Sequence, residues 1–250
     1  MARQLPDSVL IVLHQETSTP GRVGFALQQM GYSLDIRRPP LGDELPQDLD
    51  SYAGLVVFGG PMSANDNENW LHTEMKLIER ALAQETPYLG LCLGAQMLCR
   101  VLGSRVYKHP EEQVEIGYYP VWPTEHGAAL ADQLATPWPS HVYHWHREGF
   151  ELPANSVALA NGATFPLQAY RHRHSAFGLQ FHPEVTYAMM CRWTVRAYER
   201  MQHPGSREPR EHLSGWFQHD HAVAKWLKPF LSHWLLQDER SHLQNGQGTS

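Results

Sequence analysis

A cysteine stands at the point where the sequence passes from a short apolar strand to a helix. The segment GLCLGAQ, residues 90–96, places Cys92 between Gly90 and Gly94. A sharp strand-to-helix turn lifts its side chain out of a sheet at the carboxyl edge, where ligand sites of α/β proteins lie. Glycines two residues to either side would relieve crowding around such a turn.

Cys92 is therefore a candidate nucleophile. The N-terminus of the following helix stabilises negative charge, so we expect the pKa of the thiol to fall below its free value of ~8.5. The N–H of Leu93 would point to where an oxyanion forms. A free cysteine can equally be a small packing side chain, as we expect for Cys99 and Cys191 within helical stretches. The spacing alone leaves both interpretations of Cys92 open.

A nucleophilic thiol needs a base, and the segment FGLQFHPEV, residues 177–185, contains a candidate. His182 and Glu184 are two residues apart, so they share one side of an extended chain. Pro183 stiffens the segment between them. Taken alone, the pair is better interpreted as a surface histidine and glutamate beside a turn. Together with Cys92, it predicts a thiol, an imidazole and an orienting carboxylate.

A second glycine-rich turn follows another apolar strand in VVFGGPMSAND, residues 56–66. Gly59 and Gly60 leave backbone N–H groups free to approach a ligand closely. In a hydrolase this position supplies the second oxyanion donor, whereas a plain turn between strand and helix would need no such role.

The elements that must position these residues alternate along the chain. Strand patterns at 9–14, 33–37, 54–58 and 87–91 alternate with helical patterns at 20–30, 67–83 and 92–102. Near-continuous apolar strands separated by helices predict an α/β fold, with a parallel sheet covered on both faces. Short strands from 104 to 180 predict an antiparallel extension of the same sheet. We expect one domain over 1–240, helical from about 187 to 240 with a break at 204–209, and a flexible tail at 241–250.

Composition excludes several classes of function. The net charge of −6 favours neither nucleic acid nor an anionic membrane, and residues 9–13 are too short an apolar run for a signal peptide or a membrane span. Three cysteines without paired spacing indicate a reducing cytoplasm. Among 16 histidines, His144 and His146 share one face of a strand, but no zinc motif is present. We expect no metal and no cofactor.

The combined motifs resemble those of the class I (triad) glutamine amidotransferases, most closely the stand-alone branch similar to the glutaminase domain of GMP synthase. The resemblance covers about residues 9–201, and implies a three-layer, flavodoxin-like fold. Glu148 stands where this branch usually has aspartate, which leaves its role open. The implied residues are Cys92, His182 and Glu184 for catalysis, Gly60 and Leu93 for the oxyanion hole, and Gly59 and Gln96 for substrate binding.

The resemblance implies hydrolysis of the glutamine side-chain amide through a γ-glutamyl thioester, releasing ammonia and glutamate. A separate synthase could accept the ammonia, since the residues after Met201 contain no glycine-rich phosphate loop. One alternative is a γ-glutamyl peptidase acting on glutathione-like compounds. Another is a regulatory subunit that binds metabolites without catalysis, which the complete set of Cys92, His182 and Glu184 disfavours.

Overall fold

An eight-stranded mixed sheet runs through the centre of the computed structural model, which describes residues 6–245 and, for 237–245, the backbone alone. The strand order is β2–β1–β3–β4–β12–β11–β10–β7. The first five strands in this order are parallel and the last three are antiparallel. The strands are β1 (Ser8–Val12), β2 (Ser33–Arg37), β3 (Tyr52–Val57), β4 (Tyr88–Leu91), β5 (Val106–Lys108), β6 (Glu115–Pro120), β7 (Trp122–Pro123), β8 (His141–His146), β9 (Glu148–Phe150), β10 (Ser156–Asn161), β11 (Leu167–His172) and β12 (Ala176–Leu179).

Helices cover both faces of this sheet. They are α1 (Gly21–Gln29), α2 (Asn69–Ala83), α3 (Leu93–Val101), α4 (Glu125–Gln133), α5 (Tyr187–Arg196) and α6 (Pro209–Asn245), with 3₁₀ turns at Pro39–Leu41 and Tyr198–Gln202. Along β1, Val9 and Ile11 join the core under α1, α4 and α6, while Leu10 and Val12 join the core under α2 and α3. A strand buried on both faces explains the unbroken apolar run, and the predicted α/β class with its mainly parallel sheet is confirmed.

The antiparallel region is more divided than the sequence predicts. Strands β7, β10 and β11 extend the main sheet as expected, but β5 pairs with β9 and β6 pairs with β8 in two separate two-stranded sheets. The alternation of side chains shows which face of a strand is apolar, but it does not show which strand becomes its partner. Tyr118 of β6 and Tyr143 of β8 pack on Met189 of α5, apart from the main sheet.

The chain is helical after Thr186, as predicted, with a break before α6 begins at Pro209, a residue suited to the first helical position. Trp226 and Trp234 of α6 are fully buried against the sheet. Residues 241–245, predicted as flexible tail, continue α6, and the rest of that tail lies outside the described residues. No described helix is both long enough and apolar enough to cross a membrane.

The turn between β4 and α3 has the strained form that its residues suggest. Cys92 has φ +50° and ψ −102°, a conformation that residues with side chains rarely adopt. A Cβ on Gly90 would lie 2.5 Å from the backbone of Gly94, and a Cβ on Gly94 would lie 2.1 Å from the carbonyl oxygen of Val57. The prediction that these glycines relieve crowding is confirmed.

We expect Gly94→Ala to destabilise the protein by about 3 kcal/mol or more, because its methyl group would overlap the backbone of β3 and force it to move. Gly103→Ala is the matched control. Gly103 has φ +78° with no atom within 4 Å of its Cβ position, so that change costs only the left-handed strain of about 1–2 kcal/mol. Urea unfolding measures both, and equal losses would contradict the steric role of Gly94.

Candidate active site

Two cavities meet at the sulfur-bearing turn, on the carboxyl edge of the parallel strands. The larger, of about 450 Å³, is lined by Cys92, His182 and Glu184 together with Gly59 and Gly60. The smaller, of about 70 Å³, also reaches Cys92 and is lined by Gln96 and Glu148 among others. Leu93 is the first residue of α3, so its N–H is among those that find no acceptor within the helix. The structure thus brings together residues from three distant motifs.

His182 and Glu184 form a close buried pair. The imidazole Nδ1 lies 2.7 Å from the Glu184 Oε1, and both side chains are about nineteen-twentieths buried. The backbone on either side is held as well. The N–H of His182 donates to the carbonyl oxygen of Tyr143 at 2.8 Å, and the N–H of Arg22, at the start of α1, donates to the carbonyl oxygen of Glu184 at 2.8 Å. Hydrogen bonds to two other segments therefore hold the backbone that carries the pair.

The other ring nitrogen of His182 is buried and makes no hydrogen bond of good geometry within residues 6–245. A Cβ on Gly59 would lie 2.8 Å from the ring Cε1 of His182 and 3.4 Å from the Cβ of Cys92. The imidazole and the thiol therefore flank the same point. Gly59 leaves space for the ring there, and Trp193 covers it edge-on with ring centres 5.1 Å apart.

Charge at the site favours a protonated imidazole. Burial lowers the pKa of His182, but the charge of Glu184 and the neighbouring Cys92 outweigh it and raise the pKa to about 10. His182 then carries a positive charge at neutral pH, beside the side chain of Cys92. Because the folded pKa exceeds the unfolded value of ~6.5, this contribution to stability is complete below pH ~6.5 and is lost as the pH rises through 10.

A buried pair that the sequence did not reveal holds the Gly59–Gly60 peptide. The ring of His14 lies with Nδ1 3.1 Å from the carbonyl oxygen of Gly59 and with Nε2 3.0 Å from the carboxylate of Glu74. The peptide unit is planar, so fixing the carbonyl of Gly59 also fixes the N–H of Gly60. Glu74 lies on the buried face of α2. A carboxylate among the apolar positions of this helix is the sequence feature that could have indicated a buried pair.

Gln96 is buried, and its side-chain amide donates to the carbonyl oxygen of Glu148 at 3.0 Å and to the Gln180 amide oxygen at 3.3 Å. The Nδ1 of His146 lies 3.0 Å from the same carbonyl. Gln96 therefore shapes the smaller cavity by holding the backbone at Glu148. Glu148 itself is buried and lines that cavity.

One group among the described residues could hold a metal ion. Possible ligand atoms of Glu115, His144 and His146 lie within 4.8 Å of one another, and all three residues are buried. The spacing of the two histidines is visible in the sequence, whereas the position of Glu115 beside them results from the pairing of β6 with β8. The Glu115 carboxylate lies 3.0 Å from the Nε2 of His146 and accepts from the Gln168 amide at 2.7 Å. Burial raises the pKa of Glu115, but these neighbours and His144 lower it to about 2. The group thus works as a charged hydrogen-bonded cluster, and the absence of metal stays a prediction.

The comparisons with known proteins match this geometry. The family model for "Glutamine amidotransferase class-I" matches residues 23–190, which is more than half of the chain. The chain belongs to the class I glutamine amidotransferases. This family match includes Cys92, His182 and Glu184, and it ends four residues into α5.

Two relatives and one solved structure illustrate the family likeness. A glutamine amidotransferase-like protein of Salmonella typhimurium, YfeJ, is 31% identical over 185 residues, covering 71% of this chain and 76% of that protein. The glutamine-hydrolyzing GMP synthase of Aliivibrio fischeri is 27% identical over 195 residues, covering 75% of this chain but only 34% of the synthase. The crystal structure of a glutamine amidotransferase from Methylobacillus flagellatus superposes with a TM-score of 0.86 at 27% identity, covering 93% of this chain and 95% of that one.

Among the three cysteines, we expect iodoacetamide at neutral pH to modify Cys92 first. Cys92 lines the larger cavity beside a protonated imidazole, whereas burial raises the pKa of Cys99 to about 11 and leaves its thiol almost entirely protonated. Peptide mapping by mass spectrometry measures the order, and the urea-unfolded protein is the control in which all three should react alike. Labelling of Cys191 or Cys99 before Cys92 in the folded protein would overturn the assignment.

The pKa of His182 should fall by about two pH units in Glu184→Gln, because the carboxylate that raises it is removed while burial continues to lower it. NMR titration of the ring protons measures the change directly. Glu199→Gln is the control, since Glu199 lines the same cavity and is not a cause of the shift. An unchanged pKa in Glu184→Gln would show that the raised value has another origin.

Proposed function

We propose that this chain is a cysteine-dependent amidohydrolase that cleaves the γ-amide of glutamine and releases ammonia and glutamate. One observation carries the proposal. Cys92, at a strained strand-to-helix turn, shares a cavity with a buried imidazole whose far nitrogen is bound by a carboxylate at 2.7 Å. A nucleophile, a proton carrier and its orienting group are the parts that covalent amide hydrolysis needs.

In the first half of the reaction, the thiolate of Cys92 attacks the carbonyl carbon of the γ-amide. The oxygen becomes negative and accepts from the N–H groups of Gly60 and Leu93. His182 then gives its Nε2 proton to the amide nitrogen, the carbon–nitrogen bond breaks, and ammonia leaves. Loss of one oxyanion donor of this kind typically lowers the rate by ~10²–10³-fold.

In the second half, His182 is neutral and acts as a base. It takes a proton from water as the oxygen attacks the γ-glutamyl thioester. The carbon–sulfur bond breaks, glutamate leaves, and the thiolate and imidazolium are restored. Glu184 stabilises the imidazolium in both halves and holds the ring in one orientation.

Substrate recognition on this proposal belongs to the smaller cavity. Glu148 can accept from an α-ammonium group, and Arg147 lines the same cavity and can bind an α-carboxylate. Gln96 keeps the Glu148 backbone in position. The glutamate found where the branch usually has aspartate retains the charge that this interaction needs.

The fate of the ammonia remains part of the proposal. The chain matches about a third of the length of a glutamine-hydrolyzing GMP synthase. On this proposal, a separate synthase that docks on this chain would receive the ammonia. The size of the larger cavity favours a second candidate, a γ-glutamyl peptidase, because about 450 Å³ falls in the range of pockets that hold whole small molecules.

The purified chain should form glutamate from glutamine or from a γ-glutamyl peptide, and Cys92→Ser should abolish most of that activity because the serine hydroxyl is a far weaker nucleophile at neutral pH. Coupled glutamate assays measure kcat/KM for each substrate, and Cys99→Ser is the matched control. Acid-quenched protein examined by mass spectrometry should carry a γ-glutamyl adduct on Cys92. Full activity in Cys92→Ser would overturn the mechanism. A preference of about a hundredfold for the peptide would select the second candidate.

A further inference from the structure

We propose that the substrate carries a negatively charged group on its leaving side, bound by a row of arginines along α5 and the 3₁₀ turn that follows it. Arg192, Arg196 and Arg200 recur every fourth residue, and all three line the larger cavity. This inference rests on the proposed hydrolysis and develops its second candidate, because it names as substrates γ-glutamyl amides whose amine portion is an anion, such as an amino acid.

The position of His182 decides which cavity takes the leaving group. The proton for the departing nitrogen comes from His182, which lines the larger cavity and is absent from the described lining of the smaller one. The γ-glutamyl portion therefore extends into the smaller cavity, and the amine portion extends past His182 into the larger one. Ammonia would leave most of that space unused.

The charge on the α5 wall is not neutralised by the protein itself. Within the described part of the chain, none of the three arginines forms an ion pair, and Arg192 donates only to the carbonyl oxygen of Thr17 at 3.3 Å. Two carboxylates share the cavity, but Glu184 is bound to His182, which leaves Glu199 as the nearby counter-charge. Three guanidinium groups against one carboxylate leave a net positive wall.

A row of guanidinium groups suits a carboxylate. Each presents N–H donors in a planar fork that matches two carboxylate oxygens. Arg192 and Arg196 are one helical turn apart, about 6 Å along the axis. Their guanidinium groups can therefore bind a carboxylate at more than one depth in the larger cavity. Trp145 and Trp193 add apolar wall beside them, which fits the carbon chain between the amide and the charged end.

The test compares γ-glutamylglycine with its C-terminal amide, two substrates of nearly equal size that differ by one charge. We expect the ratio of kcat/KM values, acid over amide, to be about tenfold or more in the wild-type chain and to fall at high salt. Arg192→Gln and Arg196→Gln should each lower that ratio several-fold. Arg210→Gln, an exposed arginine outside both cavities, is the control and should leave the ratio unchanged.

A ratio near one, or a ratio that Arg192→Gln and Arg196→Gln leave unaltered, would overturn the inference while the proposed hydrolysis stands. If neither peptide is hydrolysed, the proposed hydrolysis fails for these substrates and binding decides the inference instead. Calorimetry on Cys92→Ala should then show tighter binding of γ-glutamylglycine than of its amide, with the difference reduced by Arg196→Gln. Equal binding of the two compounds would overturn it.

Discussion

The close approach of α3 to strands β3 and β4 is the constraint on which the rest of the site depends. Cys92 reaches the cavity only because its backbone adopts φ +50° between two positions that have no room for a Cβ. Strain of this kind costs about 1–3 kcal/mol and persists only where the surroundings hold it. Here the surroundings are the apolar cores on both faces of the sheet, which press α3 against the backbone at Val57.

Two buried pairs of ionisable side chains set the geometry around that turn. His182 is held by Glu184, and the Gly59 carbonyl is held by His14 and Glu74. The His14 ring lies between two acceptors and the His182 ring contacts one carboxylate, and both rings are removed from water. Burying such groups is costly unless they are paired, so the two pairs can form only when the sheet and its helices are already assembled. Chemistry at Cys92 is thereby linked to folding of the whole domain.

Much of this arrangement could be predicted because the signals are local. The alternation of strands and helices, the glycines around Cys92, and the two-residue spacing of His182 and Glu184 are all visible within single segments. The contacts that escaped prediction join distant segments. His14 and Glu74 are sixty residues apart, and β6 brings Glu115 to His144 and His146 from a neighbouring strand whose pairing no periodicity reveals. The arginine repeat of α5 is visible in the sequence, but only the structure shows that it lines a cavity.

Two parts of the chain form the site, and they differ in how much substitution they tolerate. The sheet edge tolerates little change at Gly59, Gly90 and Gly94, because a Cβ at any of them would meet backbone or ring atoms at less than 3 Å. On the wall formed by α5, Arg192 is half-buried and Arg196 is exposed. Substitutions on that helix can accumulate without disturbing the strained turn. If the proposed function holds, a lineage could exchange one amine portion of the substrate for another by changing residues of α5, while the strained turn at Cys92 stays unaltered.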